Sequence, residues 1–140
     1  MSENANKLSP RLFLSSLNTK RAVLIIIILG VLVFFNGLFN GFVADDHSQI
    51  TRSRTIQSLD NFSAFFSGGT FYSGEEQALT GVYYKPLLNI FYALNYAIGN
   101  GSPFPFHFFQ IFLHVVNACI LFLIFKHFFK LPLAFTLALL

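Results

Sequence analysis

Ala22-Val23-Leu24-Ile25-Ile26-Ile27-Ile28-Leu29-Gly30-Val31-Leu32-Val33-Phe34-Phe35-Asn36-Gly37-Leu38-Phe39-Asn40-Gly41-Phe42-Val43-Ala44 runs without a single charge until it meets Asp45-Asp46-His47. Only Asn36, Asn40 and three glycines interrupt the apolar side chains. At the helical rise per residue the run reaches roughly 33 Å, enough to cross a bilayer. The two carboxylates then fall where the helix leaves the hydrocarbon. One reading makes them a polar stop signal. The other makes them functional, because carboxylates at a membrane boundary are costly to keep.

The composition agrees with a membrane setting. Of 140 residues, 54% are hydrophobic and 11% charged, with 20 phenylalanines; soluble domains carry charge on roughly a quarter of their residues. The formal net charge of +3 is too small and too dispersed for a nucleic-acid footprint. A lone cysteine, Cys119, excludes an intrachain disulfide and a cysteine-built zinc site. It reads as a small packing residue.

Upstream, residues 1–21 are polar and carry Lys7, Arg11, Lys20 and Arg21 against Glu3 alone. Basic residues flanking a first span predict a cytoplasmic N-terminal tail. A cleaved signal peptide is the competing explanation, but the apolar core is long for one and no A-x-A-like site comes after it. Residues 22–44 are therefore expected to form an uncleaved first transmembrane helix.

Downstream, residues 45–106 show no basic excess and are assigned to the non-cytoplasmic side: periplasm, cell exterior or, in a eukaryote, the endoplasmic reticulum lumen. Ile56, Leu59, Phe62 and Phe66 recur at helical spacing and predict a short amphipathic helix closed by Gly68-Gly69. Residues 70–82 read as an irregular loop. Leu87 to Ile98 predicts a second amphipathic helix, opened by Lys85-Pro86, too short to span and so expected along the interface. Asn89, Tyr92 and Asn95 or Tyr96 mark one face, and Leu88, Phe91, Leu94 and Ile98 another.

Phe104 to Phe129 is the second apolar stretch, its core at 107–129 taken as transmembrane helix 2. His107, Gln110, His114 and Asn117 fall on one face of it, a polar stripe that should meet protein or a water-filled cavity. Residues 131–140 begin a third apolar run, about half the length of a span. The expected fold is thus all-α and integral to the membrane, its transmembrane helices joined by a long external loop carrying short helices. The sequence is expected to be partial.

The order of motifs resembles the N-terminal part of the GT-C membrane glycosyltransferases, in particular the protein mannosyltransferase-like and tetratricopeptide-linked transmembrane mannosyltransferase branches. The likeness rests on Asp45-Asp46 after the first span, on Tyr84-Lys85-Pro86-Leu87, and on Asn95-Tyr96, Pro103, His107, Gln110 and His114 in sequence. It covers roughly residues 20–130. Gln110 stands where the family usually has Asn, and Asn100-Gly101 makes the turn one residue looser. An incomplete GT-C-type bundle is what the resemblance implies.

It also implies a chemistry: transfer of a sugar, mannose among the candidates, from a polyprenyl- or dolichyl-phosphate carrier to an acceptor hydroxyl of a protein, lipid or glycan. The catalytic candidates are Asp45, as the base that takes the hydroxyl proton, and Asp46. Three roles are open to Asp46: shaping the pocket, capping the next helix, or raising the proton affinity of Asp45 by like-charge repulsion. Lys85 is the candidate cation for the departing lipid phosphate, with Tyr84 as a donor. His107, Gln110 and His114 are expected to line the cavity. Asp45, Asp46, His47, His107 and His114 could in principle converge on a divalent ion. His107 and His114 lie about 10 Å apart along a helix, too far to share one, so no metal ligand and no cofactor is assigned. The alternative function is a small non-catalytic membrane subunit or scaffold that packs through the stripe of helix 2. A transporter fragment accounts for less of the motif order.

Overall fold

The computed structural model describes residues 17–67, the backbone of 71–72 and 79–80, and residues 83–140. The tail up to residue 16, Gly68-Gly69 and Glu75-Glu76 lie outside the described residues. The described chain is helical apart from one short ladder, and it divides into two compact units. One is built from the chain up to Phe35 together with Ile111–Leu140, the other from Asn36–Gln110.

Helix α1 spans Thr19–Phe34. It starts at Asn18, whose side-chain oxygen accepts the Arg21 N–H at 2.9 Å, a standard N-cap. That cap draws the helix three residues upstream of Ala22. Beyond Phe34 the chain tightens into a 3₁₀ segment, Phe35–Phe39, and the helical run stops there, short of Ala44. The reason is local: Asn36, Gly37, Asn40 and Gly41 are poor helix formers, and the Asn40 N–H closes a turn onto the Gly37 carbonyl at 3.2 Å. The most apolar 18-residue window of Thr19–Phe39 has a mean hydropathy of 2.9. The corresponding window of helix α3 below, Pro103–Phe128, reaches 2.3. Both are long and apolar enough to cross a membrane, and only 11% of the most apolar window of each is buried, unlike the core helix of a soluble protein.

In the first unit, α1 packs with the later part of α3 and with α4, Leu131–Leu139, which Pro132 starts in its first turn. Ala22, Ile26, Phe122, Ala134 and Phe135 form the buried core. Small residues permit the approach: a Cβ placed on Gly30 would stand 2.8 Å from Val115 Cγ2. At the far end Lys126 Nζ donates to Thr19 Oγ1 at 3.0 Å, tying the start of α1 to the last turn of α3.

In the second unit, a single π-turn at His47–Thr51 and a 3₁₀ segment at Leu59–Phe66 lead to helix α2, Pro86–Gly99. The backbone of Phe71–Tyr72 (β1) pairs antiparallel with Leu79–Thr80 (β2), Phe71 opposite Thr80, within a stretch read as irregular loop. The core is Ile56, Phe65 and Ala93, so the 3₁₀ segment sits on α2. The expected apolar face of that segment is corrected here. Leu59, Phe62 and Phe66 are 44–52% exposed and Phe65 is the buried residue, because a three-residue turn, kinked at Asn61, rotates side chains differently from an α-helix.

Helix α2 ends where Asn100 takes the left-handed conformation at φ 48° and Gly101 comes next at φ 80°. Ser102 N–H then bonds to Gly99 O at 2.9 Å, and α3 begins at Pro103. The turn is closed tightly enough that Pro105 Cγ lies 2.6 Å from where a Gly99 Cβ would stand.

Candidate functional site

The acidic pair sits on a turn of unusual backbone. Ala44 adopts φ 47°, costly for a residue with a Cβ, and reciprocal bonds hold it there. Val43 N–H donates to Asp46 Oδ2 at 3.0 Å, while Asp46 N–H donates to Val43 O at the same distance. Asp46 thus ties the chain behind it and makes no side-chain bond to the turn ahead, which corrects the helix-capping role open to it in the sequence.

Asp45 is fixed through its backbone instead. Its carbonyl accepts the Ser48 N–H, the Gln49 N–H and the Ser48 hydroxyl at 2.9–3.1 Å. The Asp45 carboxylate stays exposed, whereas Asp46 is half-buried. The π-turn after the pair is defined by Arg52 N–H donating to His47 O at 2.9 Å; such widened turns recur at functional sites. Gln57 Nε2 secures its end, donating to Thr51 O at 2.8 Å.

Gln49, which the sequence reading passed over, and Tyr92, named there only as part of a polar face, join this turn to α2. Tyr92 O–H donates to Gln49 Oε1 at 3.4 Å, a long bond from a half-buried phenol. Burial raises the Tyr92 pKa above 10.0, and the negative charges of Asp46 and then Asp45 raise it further. The hydroxyl therefore stays protonated beside the two carboxylates. Phe106 supports the arrangement from α3, its ring 6.0 Å from Tyr92 and 5.3 Å from Phe42. The only sequence signal for this was Tyr92 on the polar face of α2.

The remaining candidates are distributed along the chain. Lys85 and Tyr84 are exposed in the segment entering α2, and Lys85 Nζ lies over the Tyr83 ring, 4.8 Å from its centroid. His107 is half-buried on α3, its Nε2 shielded and without a hydrogen-bond partner among the described residues. Gln110 is exposed. His114 belongs to the other unit, where its ring meets Phe34 edge-on at 4.8 Å. It lines a groove of about 500 Å³ with Gly30, Phe34, Asn117 and Leu121 among others. Among the described residues no three His, Cys, Asp or Glu side chains gather to hold a metal ion.

Comparison with known protein families, characterised proteins and solved structures finds no match to this chain.

Proposed function

We propose that the protein acts in lipid-linked sugar transfer at a membrane, with Asp45 as the base. The observation that supports this is the anchoring of Asp45: its backbone is locked by three donors while its carboxylate remains open to an incoming group. In the step proposed, the acceptor oxygen attacks the anomeric carbon of a polyprenyl-phosphate sugar. Its proton passes to Asp45, and the bond from that carbon to the phosphate oxygen breaks to release polyprenyl phosphate. Tyr92, held protonated, adds no third negative charge near the pair. Lys85 is the cation offered to the departing phosphate.

Asp45→Asn keeps the shape of the turn and removes the base. Sugar transfer from polyprenyl-phosphate donors, measured in membranes containing the protein, is expected to fall by about 10²–10⁴-fold with insertion unchanged. Undiminished transfer by the variant sinks the proposal. Exposure of Gln110, His114 and Asn117 on an apolar helix favours a second reading, a non-catalytic membrane subunit that packs through this stripe. In that case Asp45→Ala is silent, and replacing Gln110 and Asn117 by leucine abolishes assembly.

A further inference from the structure

Helix α2 is amphipathic in reverse. Successive residues turn by about 100° around a helix axis, so Leu87, Leu94 and Ile98 form one stripe, with Asn89, Tyr92, Ala93 and Tyr96 opposite. The apolar stripe is the open one: Leu87 is 78% exposed, Leu94 46% and Ile98 71%. The opposite side is covered, with Asn89 and Ala93 buried and Tyr92 and Tyr96 half-buried. Pro86 to Gly99 carries no charge at all. A helix lying on a water-facing surface shows the converse pattern, with leucines inside and polar residues out.

The connection to α3 decides what covers the stripe. Only Asn100, Gly101 and Ser102 separate α2 from a helix long and apolar enough to span. The joint is closed by the Ser102–Gly99 bond and by Pro105 seated against Gly99. The Ile98 end of α2 is therefore held at the depth where α3 enters the bilayer. Fourteen residues reach about 21 Å, too short to cross, so α2 stays within one boundary region.

We propose that α2 lies in the leaflet boundary at the Pro103 end of α3, its Leu87–Leu94–Ile98 stripe immersed in phospholipid acyl chains. The side facing away from lipid carries Tyr92, and through the Tyr92–Gln49 bond it carries the acidic turn. Asp45 and Asp46 are thereby held about one helix diameter, roughly 10 Å, from the hydrocarbon edge. That is the level of phospholipid head groups. The inference stands on packing and connectivity and is independent of sugar transfer.

The test places the full chain in liposomes. With Cys119→Ala as background, single cysteines at Leu87, Leu94, Ile98 and, as a water-exposed control, Asp60 carry an environment-sensitive fluorophore. Labels on the stripe are expected to lose most of their emission when phospholipids are brominated near the head-group end of the chain, and the Asp60 label is expected to lose little. Labels that stay bright, at positions where the unlabelled cysteine reacts with a membrane-impermeant thiol reagent, place the stripe in water and overturn the proposal. Cysteines that are protected yet unquenched place it against protein, which overturns it equally. On the unmodified protein, a phospholipid with a diazirine in its acyl chain should mark Leu87, Leu94 and Ile98 and spare Asn89 and Ala93. The reverse pattern refutes the orientation without any variant having to fold.

Discussion

Enlarging Gly30 tests the packing of the first unit most directly. A Cβ there stands 2.8 Å from Val115 Cγ2 and 3.8 Å from Val115 Cβ. Apolar carbons settle at about 3.5–4.0 Å, so close to 1 Å must be found by moving α1 away from α3. Val115 has little freedom to yield, because it is 8% exposed and a β-branched residue in a helix holds essentially one rotamer. Gly30→Ile should therefore destabilise the unit by about 1–3 kcal/mol, the usual range for an overfilled contact. Gly30→Ala should do less, since replacing glycine within a helix returns up to about 1 kcal/mol. The assay is reversible unfolding in mixed micelles with increasing denaturing detergent, run on each variant and with Val115→Ala. Removing both valine methyls should rescue Gly30→Ile by about 1–2 kcal/mol of coupling. An unchanged midpoint for Gly30→Ile, or no rescue by Val115→Ala, refutes the close approach.

Alkaline titration reads the site. Tyr92 has a folded pKa above its ordinary 10.0, so the fold keeps its full stability below about pH 10 and loses some as pH rises through the folded value. Tyr92→Phe should flatten that loss in unfolding measured from neutral to alkaline pH, and an unaltered slope counts against the buried phenol. Asp46→Asn should lower the Tyr92 pKa, by tyrosinate absorbance, yet leave it above 10.0 because burial is the larger cause. At the joint between α2 and α3, Gly101→Val meets both a φ of 80° and a Tyr96 ring 3.2 Å from the new Cβ. It should destabilise the second unit by about 2 kcal/mol or more, read as faster amide exchange in α2.

Much of the architecture was legible because hydropathy is a long-range signal. Long, mostly apolar stretches announce helices able to span whatever their exact ends, and the described residues hold two helical runs of that length and hydropathy. Pro86 and the Gly99–Pro103 turn likewise delimit α2. The features that escaped were set by single hydrogen bonds and by the winding of the backbone. The Asn18 cap and the Asn40–Gly37 turn shift the ends of the first helical run. A 3₁₀ winding exchanges Phe65 for Phe66 as the core residue, a difference that α-helical spacing cannot anticipate. Asp46 precedes a helical turn, the place of a cap, yet its carboxylate binds Val43 behind it. The Gln49–Tyr92 link joins residues 43 positions apart and leaves no local trace in sequence.

The 3₁₀ winding of Phe35–Phe39 also bears on which bilayer the chain suits. The sixteen α-helical residues of Thr19–Phe34 reach only about 24 Å, less than the roughly 30 Å of a typical hydrocarbon core. Five further residues at the steeper 3₁₀ rise add about 10 Å, where α-helical winding would add about 7.5 Å. Rewinding this one segment changes the length of the rod by some 2.5 Å, comparable with the thickness differences among cellular membranes. In a helical run long and apolar enough to cross a membrane, the winding of these five residues thus sets the last few ångströms of its reach, apart from the sixteen residues before them.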